Sequence, residues 1–397
     1  MTEPKMVEAT DTFSSDIREA PESFASKDFP RNAWYAAAWD VELKHELLAR
    51  TICGENLVFY RTSEGECVAL QDACWHRLVP LSLGELKGDT VACGYHGLRY
   101  DQDGRCVFMP SQATINPVAG VRSYPVVERH RFVWIWMGDP ALADPELIPD
   151  LHWNDDPEWA GDGKTIHVEC NYKLVVDNLM DLTHETYVHG NSIGNDAVAE
   201  APFEVTHGDR KALVTRWMLD IDAPPFWRGQ LGKPGNVDRW QIIHFEPPST
   251  IAIDVGVALA GTGAPEGDRS QGVNGFVLNT MTPESDTSCH YFWAFVRNFD
   301  IRNQARTTQI REGVSGIFSE DEVVLEAQQR AIDENPGRVF YNLNLDGGAM
   351  WARRIIDRMI RDEAQGVPAP TANGSSGTAG GATGSSDPTV TPTAAGR

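Results

Sequence analysis

The chain has 397 residues, enough for one large domain or two ordinary ones, and its 41% hydrophobic and 23% charged residues suit a soluble globular protein rather than a disordered one. A formal charge of −23 excludes the basic patch that nucleic acid demands and disfavours an anionic membrane surface. No run approaches the roughly 18 apolar residues of a membrane span, the N-terminus lacks the basic start and apolar core of a signal peptide, and seven Cys at irregular positions argue for a reducing cytoplasm over a secreted disulfide framework.

In chain order, residues 1–27 are polar and aperiodic and read as a disordered N-terminal arm. From Trp34 to Met137 the β-forming runs ENLVFYRT, VALQDA, GDTVACG, YDQDGRCVF and FVWIWMG alternate with the turn signals EG, KGD and QDG. That pattern predicts a small antiparallel β domain over 28–140. Residues 140–160 are rich in Asp and Pro and read as a linker. Beyond them Asn171–His189 reads as a helix, TIAIDVGVAL and CHYFWAFV as strands, and Ser319–Glu334 as a second helix. The region 141–365 is therefore expected to be an α+β unit. The Gly/Ser/Thr/Pro-rich stretch 366–397 cannot bury enough surface to offset its ordering entropy and is expected to be a disordered tail.

The strongest chemical signal is ACWHRLVPLSLGELKGDTVACGYHGLRYD, in which Cys74-x-His76 is followed by sixteen residues and Cys93-x2-His96. Two Cys and two His in paired loops suit zinc or an iron–sulfur cluster. A zinc finger groups its ligands as a Cys pair and a His pair. Here each loop supplies one of each, so each can give a thiolate to one iron and an imidazole to the other. Gly94 and Gly97 beside the ligands would let backbone N–H groups approach bridging sulfides. The other Cys, at 53, 67, 106, 170 and 289, read as buried or surface thiols.

A second constellation lies in CNYKLVVDNLMDLTHETYVHGNSIG. On an ideal helix His184 and His189 lie about 140° apart. They converge on one ion only if the helix ends or bulges between them, and Gly190 is a candidate terminator. Asp181 and Asp177, each one turn earlier, form an acidic rail toward the pair. A 2-His-1-carboxylate triad needs one more ligand, and Asp321 and Asp333 are both candidates. Glu320, Glu322, Glu326 and Glu334 read as a solvated helix face.

Taken together, CWH…CGYHGLRYD, DNLMDLTHETYVHG, TPESDTSCHYFWAFVRNF and EDEVVLEAQQR give residues 28–362 a resemblance to the oxygenase components of Rieske non-heme iron oxygenases, nearest the vanillate O-demethylase branch that includes dicamba monooxygenase. The resemblance implies a Rieske domain followed by an α+β catalytic domain with a curved antiparallel sheet and helices. It implies a [2Fe-2S] cluster on Cys74, His76, Cys93 and His96, and ferrous iron on His184, His189 and Asp321. It also implies a homotrimer, in which Asp181, supported by Asn178, bridges the iron site to a Rieske histidine of a neighbouring subunit.

The activity so implied is O-demethylation of a methoxybenzoate of the vanillate or veratrate type with O2, releasing formaldehyde. No G-x-G-x-x-G follows a strand, so NAD(P)H would act only through a separate reductase. Asn279 stands where the branch places a polar substrate contact, although the dicamba enzyme has His there, and Arg239 is a further candidate donor to a small aromatic carboxylate. Arg297 and His290 read as structural, and Trp240, Trp293 and Phe276 read as core before pocket. Glu312 replaces a pocket Trp of the dicamba enzyme, which argues against dicamba itself. Ring hydroxylation or N-demethylation would use the same metal ligands. A Rieske electron carrier or a zinc-stabilised binding protein would leave the second constellation without purpose.

Overall fold

The structure, a computed structural model, describes residues 29–190 and 192–367. The arm expected over 1–27 and the tail expected over 366–397 lie outside it, apart from Gly366 and Val367.

The N-terminal unit contains β1 (Trp34–Trp39), β2 (Leu48–Ile52), β3 (Glu55–Arg61), β4 (Cys67–Gln71), β5 (Glu85–Lys87), β6 (Thr90–Ala92), β7 (Arg99–Tyr100), β8 (Cys106–Phe108), β9 (Val126–Arg129) and β10 (Phe132–Trp136). They pair into three small antiparallel sheets, ordered β2-β3-β4, β5-β6-β7-β8 and β1-β10-β9. The runs WYAAAW and FVWIW are apolar throughout because both faces of β1 and β10 are covered. Trp34, Ala36, Trp134 and Trp136 enter a tryptophan cluster, while Tyr35, Ala37, Val133 and Ile135 enter the main core.

The segment 140–160 is an ordered strap, more structured than the linker expected. Asp139 and Asp144 each cap a short 3-10 turn that begins with Pro, accepting from Ala141 and Glu146. Leu147, Ile148 and Trp153 then pack into the tryptophan cluster.

The C-terminal unit contains β11 (Ala160–Val168), α1 (Tyr172–Met180), α2 (Glu185–Val188), α3 (Asp196–Glu200), β12 (Phe203–His207), β13 (Ala212–Ile221), α4 (Pro225–Leu231), β14 (Val237–Glu246), β15 (Thr250–Leu259), β16 (Gly272–Pro283), β17 (Cys289–Arg297), α5 (Gln304–Glu334) and α6 (Gly347–Ala364). Seven of the strands form one antiparallel sheet in the order β11-β17-β16-β15-β14-β13-β12. This is the α+β catalytic architecture expected. The β1–β10 sheet abuts it, with the Thr282 hydroxyl donating to the Ala36 carbonyl at 2.6 Å, and so does the β2–β3 turn, with the Cys53 amide donating to the Pro283 carbonyl at 2.7 Å.

Two helices differ from expectation. The helix read over Asn171–His189 stops at Met180, because Asp181 is extended (φ −131°, ψ 105°) and its carboxylate caps a 3-10 turn over Leu182–His184 by accepting from the Thr183 amide at 3.0 Å. Gly190 is therefore not what ends it. The helix read from Ser319 begins instead at Gln304, where Asn303 accepts from the Arg306 amide. Gly313 and Gly316, each costing about 1 kcal/mol relative to Ala, hid its first half, but Thr307, Ile310, Val314, Ile317, Phe318, Asp321 and Leu325 form one buried stripe along it.

Candidate metal centres and active site

The four Rieske residues sit on two loops closed by their own backbones. The Leu78 amide donates to the Cys74 carbonyl, and the Gly97 amide to that of Cys93. Asp72 ties the first loop down by accepting from the Ser82 amide and hydroxyl at 2.7 and 2.5 Å. Cys74 and Cys93 are buried, whereas His76 and His96 are exposed, their rings 4.8 Å apart. The Tyr100 hydroxyl lies 3.1 Å from the Cys74 sulfur. A Cβ on Gly94 would stand 2.7 Å from the Leu83 carbonyl oxygen, and Gly97 has φ +74°, so both positions require glycine. Paired thiolates inside and paired imidazoles outside fit an asymmetric two-iron cluster. Exposed Trp75, Leu78, Leu83 and Tyr95 surround that end.

The second centre is made by the break in the first helix. The His184 Nδ1 meets the Asp181 carbonyl oxygen at 2.7 Å, and the His189 Nδ1 meets the Glu320 carboxylate at 2.6 Å. With both Nδ1 atoms occupied, both Nε2 atoms turn to Asp321, whose Oδ1 is 3.4 Å from His184 and 3.1 Å from His189. The three ligand atoms lie within 4.8 Å of one another, the one such cluster among the described residues. The Asn178 side-chain amide reaches the Asp321 Oδ1 at 3.2 Å.

Electrostatics at this centre favours positive charge. Burial would lower the His189 imidazole, but hydrogen bonds to Asp321 and Glu320 outweigh it and hold it up at about 9. His184 is raised in the same way, chiefly through Asp321 against burial. Burial would raise Asp321, yet the two imidazoles hold it down to about 2. Two neutral-capable imidazoles on one side of a carboxylate fit a facial triad for Fe(II), with open positions opposite.

The triad opens into a cavity with about 630 Å³ of atom-free space, its mouth included. Phe226, Trp227, Phe295, Phe318, Val255 and Val277 give it largely apolar walls. Those from β15–β17 share one sheet face, because Ile253 pairs with Val277 and Val277 with Phe295.

Several sequence expectations are corrected here. Asn279 is fully buried outside this wall, donating to the Ile251 and Val277 carbonyls and accepting from the Tyr291 hydroxyl, so no polar atom is left for substrate. Arg239 does line the cavity, but its terminal nitrogens donate to Glu185 and to the Ile193 carbonyl rather than into the space. Glu312 is exposed and pairs with Lys164 and Arg311, so it is no pocket residue and says nothing about the substrate. Asp177 pairs with Arg353 on α6 instead of extending an acidic rail. Asp333 is exposed and accepts from Gln329, whereas Asp321 is the carboxylate that the fold brings beside His184 and His189.

The expected structural readings of Arg297, His290, Trp240, Trp293 and Phe276 agree with the contacts. Arg297 binds Thr307 and three carbonyls, His290 meets the Thr51 carbonyl, Trp240 donates to Asp254, Trp293 packs on Phe318, and Phe276 stacks on Trp153. Glu320 is exposed, as expected of a helix face, but its carboxylate also meets His189, and its place one residue before Asp321 was the available signal. Glu185 and the aromatic wall residues were also missed.

Residues 33–125 match the model of the Rieske [2Fe-2S] domain, and residues 168–362 that of the vanillate O-demethylase oxygenase C-terminal domain. The vanillate O-demethylase oxygenase subunit of a Pseudomonas species is 44% identical over 346 residues, 86% of this chain and 98% of that protein. The toluene-4-sulfonate monooxygenase iron-sulfur subunit of Comamonas testosteroni is 42% identical, over 85% of this chain and 99% of its own length. Dicamba monooxygenase bound to 3,6-dichlorosalicylic acid superposes with a TM-score of 0.80 at 38% identity, covering 85% of this chain and 99% of that one. No helix among the described residues is long and apolar enough to cross a membrane. With a Rieske fold around Cys74, His76, Cys93 and His96 and a 2-His-1-carboxylate triad in one chain, the protein belongs to the Rieske non-heme iron oxygenases, as an oxygenase component of the family with the vanillate O-demethylase C-terminal domain.

Proposed function

We propose that this chain removes the methyl group of a methoxybenzoate of the vanillate type. The observation that carries this reading is the triad of His184, His189 and Asp321 opening on an aromatic-walled cavity in a chain that also holds a Rieske site. The balance is methoxyarene, O2, two electrons and two protons to phenol, formaldehyde and water, and a separate reductase drawing on NAD(P)H supplies the electrons. Cys74, His76, Cys93 and His96 would hold a cluster supplying single electrons, and His184, His189 and Asp321 an iron that would supply O2 activation.

The protein's own work is placement. Phe226, Trp227, Phe295 and Phe318 hold a ring and exclude water, which sets the methyl group against the triad. The one arginine in the wall is already paired, so the acid group belongs at the open mouth. Glu320 and the Asp181 carbonyl fix which imidazole nitrogen each histidine presents.

Asp181 is the bridge in this reading. Arg216, buried beneath it, stands 3.7 Å from its carboxylate and donates to Thr183 at 2.8 Å, so the carboxylate is held near His184 while remaining partly exposed. The exposed His76 and His96, rimmed by apolar side chains, suit a surface that meets the Asp181 side of another copy in a homotrimer.

A second reading follows from the likeness to the toluene-4-sulfonate subunit: hydroxylation of a ring methyl group, which yields an alcohol and no formaldehyde. Incubation with a compatible reductase, NADH and O2 across vanillate, veratrate, 3-methoxybenzoate and toluene-4-sulfonate separates the two. Formaldehyde equimolar with the demethylated phenol is expected. None from any methoxybenzoate, with reduction of the cluster verified, would reject O-demethylation.

A further inference from the structure

The residue after the first iron-ligand histidine is an acid that the cavity wall holds in place but does not satisfy. Glu185 is 5% exposed and lines the cavity. Both of its protein donors land on the same oxygen: Arg239 Nη2 at 2.7 Å and Gln241 Nε2 at 2.9 Å from Oε2. Oε1 receives no hydrogen bond from the described residues, yet it is not among the buried unpartnered atoms, so it retains surface. Glu185 lines the cavity beside the triad. Arg239 and Gln241 lie on the same sheet face as Val255 and Ile253, since Arg239 pairs with Val257 and Gln241 with Val255. The donors on Oε2 hold that oxygen against the sheet and leave Oε1 as the free acceptor.

A buried carboxylate oxygen without a donor is costly, and the ligand that completes it must bring an O–H or N–H. A substrate carboxylate finds no partner there, because Arg239 and Gln241 already give their donors to Oε2 and Oε1 is itself an acceptor. A phenol hydroxyl is neutral near pH 7 and donates well to a carboxylate. Glu185 and the triad line the same cavity, so a ring whose hydroxyl is read by Glu185 can place an adjacent methoxy group toward the triad. We propose that Glu185 is a specificity-determining residue that accepts a hydrogen bond from a free phenol ortho to the methoxy group. This rests on the demethylase reading above and narrows it to 3-methoxy-4-hydroxy aromatics, with Arg239 and Gln241 as the residues that position Glu185.

The test is equilibrium binding to the oxidised holoenzyme without reductant, where no turnover occurs, followed by quenching of tryptophan fluorescence. The probes are vanillate, veratrate and 3-methoxybenzoate, which carry a hydroxyl, a second methoxy group and a hydrogen at the ring position beside the ether. Vanillate is expected to bind at least about 10-fold tighter than either of the others, the scale of a buried polar group left unpaired. In Glu185→Gln the amide oxygen can take both protein donors, so the wall is kept and only the inward acceptor is lost. The vanillate advantage is then expected to shrink to about twofold or less, with 3-methoxybenzoate affinity changed by no more than about threefold. Equal wild-type binding of all three, which needs no variant, overturns the proposal. Equal weakening of all three in Glu185→Gln also overturns it, by showing a structural role alone. Absence of formaldehyde with the binding preference intact would instead count against the demethylase reading.

Discussion

The two metal sites of this chain are built on opposite plans. At the Rieske site every ligand comes from two short loops within Cys74–His96, and the histidines point outward. At the iron site two ligands come from a broken helix and the third from α5, 132 positions beyond His189, all at the edge of a cavity. A site that passes electrons needs a tip near the surface and little else from the fold. A site that orients an organic substrate needs walls, and its ligands must come from the elements that build them.

The sharpest way to break this contrast is to remove one centre and look at the other. Asp321→Ala should lose nearly all mononuclear iron and all turnover while the Rieske absorbance and labile sulfide stay at wild-type levels; Asp333→Ala should keep both. Reversal would show that the wrong carboxylate was assigned. Asp181→Asn should retain both centres by metal analysis but slow cluster-driven turnover by about 100-fold or more, the scale of losing a positioned contact. Normal turnover would remove it as the bridge. Glu320→Gln keeps all three ligands but weakens the hold on His189, so iron affinity should fall by about 10- to 100-fold, measurable by competition with a chelator. Asp177→Asn should act only through the α1–α6 contact with Arg353. That partly buried pair makes a loss of about 1–2 kcal/mol in thermal unfolding the expected result, with metal content unchanged.

The same contrast decides what could be read in advance. The Rieske loops are local, so the spacing of Cys74, His76, Cys93 and His96 was enough to propose the ligands, while the β-forming runs and turn signals around them carried the small antiparallel sheets. The iron site is not local. His184 and His189 stand out in the sequence, but the extended Asp181 that lets them converge is one residue of backbone geometry inside a strongly helical pattern. Asp321 and Asp333 were indistinguishable as letters, since both continue the four-residue spacing of Ile317 and Leu325 along α5; only the tertiary fold, which buries Asp321 and leaves Asp333 exposed, separates them. Glu185 was invisible as a functional residue because Arg239, the partner that gives it meaning, is remote in sequence, and Glu320 offered only its place beside Asp321 because His189 is equally remote. Asn279 and Glu312 failed for the converse reason. A matching position does not say which way a side chain faces, and one proved sealed in the sheet and the other solvated.

The most direct test of two centres acting in sequence on a methoxybenzoate is a single turnover. The cluster and iron are reduced, the reductant is removed, and O2 is added with vanillate while Rieske absorbance and formaldehyde are followed together. The expected result is reoxidation of the cluster in step with about one formaldehyde per active site, and neither on that timescale in Asp181→Asn. Formaldehyde without cluster reoxidation, or reoxidation without formaldehyde, would contradict it.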